Sequence, residues 1–485
     1  MPIYNVDFTK GINAENPWWF TKESLDVPAF TRSDYDHYVE EFSEAKINVL
    51  LGPRRCGKTT IIKQLINNLL LVQKIDPKRI LFMSLDRPFL ELQPQKLPAI
   101  INYYEEKILG HSIQDSKELI YLFVDEAHYD LLWSRVFKQY ADQNLPIYAI
   151  ISGSSASSIY QGQESAAGRF HIHQMVTMKF RDVVRWNNPE KQEKIKEISK
   201  KLRGALLNSI KNKNPSEYVR SLSIFSTLSN SELDLIKKSL EEYLLKGGYP
   251  EFYSGSKSWK ENSRHYQTDV FDVILQKDVV TISNLRQPPK VRTLLVLIAQ
   301  NTAKMLTREK IRESLGFQSA ITVDQYVDAL AEAFLIRTSV KYKPGGYPST
   351  KPKKYYAGDN GLRNSILSLD GSNLSAEERG ALLETAVFNH CLRLQFHVDR
   401  TLRTEGKFWE DETEKDIILD FVENFGVALP VEVKNGHGGQ EDIKATKIVV
   451  NKLGSPFGII ICNDQMGLTE NKILLLPAWA FLLSC

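Results

Sequence analysis

Gly52-Pro53-Arg54-Arg55-Cys56-Gly57-Lys58-Thr59-Thr60 follows the apolar run Ile47-Asn48-Val49-Leu50-Leu51 and leads into Ile61-Ile62-Lys63-Gln64-Leu65. The stretch fits G-x-x-x-x-G-K-[ST] at every fixed position, in the setting that pattern needs, between a buried strand and a helix. Glycines let a backbone fold around an anion. Successive N–H groups and the helix N-terminus then point at the phosphate. Gly52, Arg55, Gly57, Lys58, Thr59 and Thr60 are therefore read as a triphosphate cradle. In it Lys58 reaches the β- and γ-phosphates and Thr59 supplies a hydroxyl to Mg2+.

Downstream, Ile120-Tyr121-Leu122-Phe123-Val124 runs into Asp125-Glu126. A buried strand ending in two acids puts carboxylates where an open parallel sheet binds its ligands. Asp125 is assigned to Mg2+ and Glu126 to the attacking water. The next strand ends in Ser152-Gly153-Ser154-Ser155, and Ser154 is a candidate for the γ-phosphate or that water; an ordinary strand-to-helix turn is the alternative. Arg169, after Ala166-Ala167-Gly168, either touches a phosphate in its own or a neighbouring subunit or forms a surface ion pair. Asp125–His128 spells DEAH, but no second ATPase-like lobe accompanies it, so a helicase is the weakest reading.

The 485 residues leave room for several domains. A net charge of +3, with 42% hydrophobic and 25% charged residues, excludes a histone-like basic binder, a disordered chain and a collagen-like one. No apolar run approaches the ~18 residues of a membrane span, and the start MPIYNVDFTK carries no secretory pattern. The four dispersed cysteines form no CxxC pair. Together these features predict a cytoplasmic, soluble protein.

Strand candidates Ile47–Leu51, Ile80–Leu85, Ile120–Val124, Ile147–Ser152 and Gln174–Met178 alternate with helical stretches, which predicts an α/β layer with a mostly parallel sheet. Residues 181–285 read as helical. Within them Glu190–Lys213 holds eight Lys/Arg against three Glu, read foremost as a solvated face. Val291–Met305, Thr307–Leu315 and Thr322–Leu335 read as three helices before a hairpin. Asp324, Asp328 and Glu332 on the third oppose major-groove reading. The stretch KYKPGGYPSTKPKKYY, with Lys341, Lys343, Lys351, Lys353, Lys354 and no acid, suits contact with a nucleic-acid backbone; a solvated loop or packing module is the alternative.

GPRRCGKTT, the VDEAH strand end, ISGSSAS and AAGRF, in that order, resemble the archaeal and bacterial AAA-type ATPases that carry a C-terminal domain of unknown function with a nuclease-like core. KGGYPEFY at 246–253, QKDVV at 276–280 and KKYYAGDNGLRNSIL at 353–367 are similar to landmarks of that family. MKFRDVV matches its landmark loosely. The resemblance implies an N-terminal segment (1–45), an AAA+ P-loop core (46–185), a helical lid (186–285), a winged-helix-like domain (286–365) and a PD-(D/E)xK, restriction-endonuclease-like α/β domain (366–485). It also implies ATP and Mg2+ as cofactors, DNA as partner and a homo-oligomer as one possible assembly.

The C-terminal residues support a constellation of that kind. In Val431-Glu432-Val433-Lys434, Glu432 and Lys434 share a strand face. The preceding run Ile417–Val422 is read as the partner of a hairpin, and Glu384 sits on an apolar-periodic helix. A turn centred near Phe425 places residue ~418 opposite Glu432, between Asp416 and Asp420. Asp420 is preferred, because Leu-Asp-Phe-Val resembles the family strand, and Asp416 is the reserve. Glu384, Asp420, Glu432 and Lys434 are thus expected to act on a phosphodiester, with Asp420 and Glu432 on Mg2+ or Mn2+. A non-cleaving binding module is the alternative.

Overall fold

The computed structural model describes residues 6–21, 24–91, 93, 95–153, 168–255, 258–275, 279, 285, 287–345, 352–369, 371, 374–399, 405–411 and 414–485. These form two compact units, Met1–Val176 and Thr177–Cys485.

In the first unit five strands make a parallel sheet: β1 (Lys46–Leu51), β2 (Ile80–Ser84), β3 (Ile120–Asp125), β4 (Ile147–Gly153) and β5 (His171–Gln174), in the order β2-β3-β4-β1-β5. Strands β2, β3 and β4 are buried along their whole length, as expected of a sheet covered on both faces. Leu51 pairs with Gly153, Val124 with Ile151 and Ser84 with Asp125, so the C-terminal strand ends finish level. Strand β4 lies between β1 and β3. Asn16 closes the free edge of β2: its side chain donates to Phe82 O (2.8 Å) and accepts from Phe82 N (2.7 Å), in place of a neighbouring strand. The indoles of Trp18 and Trp19 both donate to Ile80 O.

The fifth strand is His171–Gln174 rather than Gln174–Met178. Met175 N still donates to Leu51 O at 2.6 Å, after which the chain leaves the ladder. The apolar pattern of Met175, Val176 and Met178 reports burial without strand pairing.

The second unit begins with helices. Gln192–Lys211 buries Ile195, Ile198, Leu202, Leu206 and Ile210, a stripe at helical spacing. Lys191 and Lys194, at its start, both pair with Glu232, and the basic run borders solvent. Next come the helix Pro288–Gln300, strand β6 (Lys304–Leu306), the helices Arg308–Leu315 and Ala320–Glu332, and the strands β7 (Ile336–Lys341) and β8 (Lys353–Ala357). After the helix Ala376–Asp399 follow β9 (Glu405–Glu410), β10 (Glu414–Phe421), β11 (Val427–Val433), β12 (Gly458–Cys462), β13 (Gly467–Leu468) and β14 (Ile473–Pro477). All nine strands form one sheet, β13-β14-β12-β11-β10-β9-β7-β8-β6, continuous across residue 365 through the parallel β7–β9 pair.

Two sequence landmarks dock on each other here. Asp359 accepts from Gly361 N (2.8 Å) and Leu362 N (3.2 Å), capping the helix Asn360–Ile366, and from Gly248 N (2.8 Å). Gly247 has φ 66°, and a Cβ there would overlap Asp359 Oδ1. Of QKDVV, only Val279 falls within the described residues, and it is buried.

Candidate functional site

Two groups of chemistry-bearing side chains stand out, one in each unit. In the first unit β1 ends at Leu51 and the helix Lys58–Asn67 begins where the motif demands. A Cβ on Gly52 would overlap the Met175 carbonyl oxygen, so glycine lets the loop pass against the end of the sheet. Gly57 (φ 102°) and Arg55 (φ 59°) take the left-handed backbone that turns the loop into the helix. Lys58 Nζ donates to Gly52 O (2.8 Å) and Pro53 O (2.9 Å), an ammonium held over the mouth of the loop.

Because β4 lies between β1 and β3, its end contributes to the same edge. Thr59 Oγ1 donates to Asp125 Oδ2 at 2.6 Å, and Ser152 Oγ donates to Asp125 Oδ1. Both oxygens of Asp125 are thereby oriented in a site 2% exposed. Ser152 is the hydroxyl that meets the acids; Ser154 lies outside the described residues. The next residue, Glu126, has φ 51°, which turns it away from the strand; its carboxylate lies 3.8 Å from Arg54 Nη1 and 3.3 Å from His128 Nδ1. Burial, reinforced by Arg54 and Lys58, pushes His128 down to about 4, so the ring is neutral at ordinary pH. Arg169 pairs with Asp142, an ion pair that is partly exposed. The donor set of Thr59 and Asp125, already at hydrogen-bond distance, is of the hard-oxygen kind that Mg2+ takes.

The second group lies where β8, β10 and β11 meet the helix Ala376–Asp399. In the β10–β11 ladder Ile417 faces Val431 and Ile418 faces Pro430, so the next pair brings Asp416 opposite Glu432. The expectation of residue ~418 opposite Glu432 is off by two, because the turn Val422–Gly426 is centred near Asn424. Asp420 therefore faces Ala428, and its carboxylate is taken by Lys407 Nζ and by Val422 N (3.1 Å). The preferred Asp420 is not brought to Glu432; the reserve, Asp416, is.

Asp416 Oδ2 accepts from Val433 N (2.8 Å). Lys434 Nζ lies 2.8 Å from Glu432 Oε1 and 3.0 Å from Asp442, and Lys415 Nζ lies 3.0 Å from Glu432 Oε2. Glu384 accepts from the Tyr356 hydroxyl at 2.8 Å, and the Tyr356 ring stacks on Phe388 (3.9 Å, 11°). Lys354 Nζ stands 2.8 Å from Glu414, 3.6 Å from Asp416 and 3.7 Å from Glu384. Glu384 is raised by burial first and then by Asp416, and Asp416 by burial and then by Glu432. For each of the two, the neighbouring acid raises the carboxyl more than Lys354 lowers it. Their oxygens suit Mg2+ or Mn2+ in kind.

The same contacts engage part of the basic stretch, while Lys343 is exposed. Lys354 is buried among carboxylates, Lys353 pairs with Glu405 and Lys341 with Glu410. Lys351 is outside the described residues. The sequence reading chose Ser154 over Ser152, put Lys354 on a basic surface and did not single out Tyr356 or Lys415. The alternation in Lys353-Lys354-Tyr355-Tyr356 was the available signal, since residues two apart share a strand face.

No helix among the described residues is long and apolar enough to cross a membrane. No curated protein matches the chain. Among solved structures it is similar to Aeropyrum pernix Orc1 in complex with DNA (7% identity, 70% of this chain and 94% of that one, TM-score 0.27). It is also similar to the Saccharomyces cerevisiae Hsp104–ADP complex (14%, 94% and 68%, TM-score 0.27). A third is closed Hsp104 with ATPγS and FITC casein (13%, 65% and 53%, TM-score 0.26). Residues 237–373 match a family model described as a domain of unknown function (DUF8612). Residues 44–184 match the family model of an AAA domain, and with the parallel sheet this supports a nucleotide-binding, AAA-type ATPase core.

Proposed function

We propose that the chain is an Mg2+-dependent ATPase whose cycle serves a metal-dependent phosphodiesterase centre acting on DNA. The observation that carries the first half is Thr59 on Asp125 beside a motif-perfect phosphate loop. Lys58 would exchange its two loop carbonyls for the β- and γ-phosphate oxygens, which return a charge-assisted bond. Thr59 and Asp125 would hold Mg2+, which when bound neutralises charge on the transferring phosphoryl group. Glu126, with His128 neutral beside it, would orient water and accept its proton. Arg169 would act on phosphate only after leaving Asp142.

The second half rests on Glu384, Asp416, Glu432 and Lys434. Glu384, Asp416 and Glu432 would hold Mg2+ or Mn2+, which would supply a water acidic enough to attack phosphorus. Lys434, anchored by Glu432 and Asp442, would offer its ammonium to the charge that develops. The helix–strand–helix–helix–strand–strand order of residues 288–357, with β6 antiparallel to β8 and β8 to β7, supports a winged-helix reading of the segment before it. The five-part division, with a helical lid at 186–285, belongs to the same proposal.

The test is nicking of supercoiled, linear, branched and single-stranded DNA in Mg2+ and in Mn2+, with and without ATP. Cleavage abolished by Lys434→Ala, and ATP uptake abolished by Lys58→Ala, are the expected results; no cut in any DNA form or metal overturns the nuclease half. The buried Lys354, standing where the acids converge, favours a second reading, a lysine-neutralised binding module. ATP-dependent DNA retention without cleavage, unchanged in Lys434→Ala, would select it.

A further inference from the structure

His37 and Glu41 lie four residues apart, one turn along the helix Tyr35–Glu40 and its C-cap, with His37 Nε2 3.6 Å from Glu41 Oε1. Strand β5 brings a third group. His173 packs against them, its ring centroid 5.2 Å from that of His37 and tilted by 55°. One ligand atom from each of the three lies within 4.8 Å of the other two; among the described residues no other three His, Cys, Asp or Glu side chains are gathered so closely.

Two further observations point to a cation. Glu41 Oε1 takes the Lys46 ammonium, while Glu41 Oε2 is buried with no hydrogen-bond partner. A carboxylate oxygen so placed is costly unless a positive group meets it. His173 Nε2 lies 2.9 Å from the buried Asn48 Oδ1, which can only accept. In the tautomer that donates from Nε2 to that oxygen, the lone pair is on Nδ1. This is the outer-shell arrangement that fixes a ligating imidazole.

We propose that His37, Glu41 and His173 bind a zinc-class divalent cation. Two imidazoles and one carboxylate suit zinc and its neighbours, and offer too few oxygens for Ca2+ or Mg2+. Bonds of about 2.0–2.1 Å at tetrahedral angles put donors about 3.3 Å apart. His37 Nε2 stands near that spacing from Glu41 Oε1, the oxygen that Lys46 holds, so the ion would take Oε2 as the partly exposed His37 rotates. Three protein donors leave a fourth position to water. The ion would fasten the segment before β1 to the edge strand of the sheet. That same segment reaches the phosphate loop, where Arg32 Nη1 donates to Cys56 O at 2.7 Å.

The experiment titrates the chelator-stripped full chain with Co2+ and then Zn2+, without Mg2+ or nucleotide. The expected result is a visible ligand-field band at one equivalent of Co2+, displaced by Zn2+. His37→Ala and Glu41→Gln should each weaken Zn2+ binding at least tenfold and lose the band, with far-ultraviolet circular dichroism like that of the parent. Glu432→Gln, a control at the carboxylate centre, should keep it. Absence of any band, or a band that survives in both His37→Ala and Glu41→Gln, would overturn the site.

Discussion

Replacing Lys354 by Met leaves the bulk of the side chain and removes the ammonium that faces three acids. Its contact with Glu414 (2.8 Å) is to a side chain 48% exposed, so screening holds that arm to about 0.5 kcal/mol. The contacts to Asp416 (3.6 Å) and Glu384 (3.7 Å) are sheltered. At an effective dielectric of about 20 each is a gross attraction of about 4 kcal/mol, against several kcal/mol for desolvating the lysine. Breaking such a pair costs about 3–5 kcal/mol while the stranded acids stay ionised. They need not stay so. Burial first, then neighbouring acids, raise both Glu384 and Asp416. In the folded chain these carboxyls hold protons that the unfolded chain has already released, so their contribution to stability falls as pH rises through the folded values. Without Lys354 those values climb further and the slope steepens. The expected loss is about 3 kcal/mol at pH 8.5. At pH 5 it falls to about 1–2 kcal/mol, because both raised carboxyls are protonated in the parent as well and removing Lys354 then strands no charge on them, only hydrogen-bonding partners. Urea unfolding followed by tryptophan fluorescence at the two pH values measures both. A loss that is equal at pH 5 and 8.5, or larger at pH 5, would refute the charge argument.

Glu126→Gln should keep ATP binding and lower hydrolysis about 100- to 1,000-fold, measured as phosphate release beside equilibrium nucleotide binding. Gly52→Ala must force the loop off the Met175 carbonyl; the expected outcome is a loss of about 1–3 kcal/mol in thermal unfolding together with lost nucleotide binding. Asp359→Ala removes a helix cap and the partner of Gly248 N, worth about 2–3 kcal/mol together, while ATP binding in the other unit is retained.

The phosphate loop was legible because its chemistry is local: nine consecutive residues carry the turn, the anion donors and the helix start. The acids at 125 and 126 were legible for the same reason. Reading fails where a site depends on which strands are neighbours. Ser152 matters because β4 is inserted between β1 and β3, a fact of sheet order that no spacing in the sequence expresses. Asp416 and Asp420 share a strand face, so only the register separates them, and a short helical turn at 422–425 moved it by two residues. Lys354 was read as part of a basic surface run, because its three acids lie 30 to 62 residues downstream. His37, Glu41 and His173 were missed for a like reason; only the sheet edge brings the last to the first two.

Strand β8 connects the two readings of the second unit. It is one arm of the β7–β8 hairpin, and it supplies Lys354 and Tyr356 to Glu384 and Asp416. Its neighbour β7 pairs in parallel with β9, which leads on to β10 and β11. A load on the hairpin is therefore carried by backbone hydrogen bonds into the strands that hold the acids. If DNA grips that hairpin and shifts Lys354 relative to Asp416, a lysine-neutralised cluster becomes one in need of another cation. The two functional readings of the carboxylate centre then become two positions of one strand. Binding of Mn2+ to that centre would be tighter in the presence of DNA than in its absence, and Lys354→Met would make it tight in both.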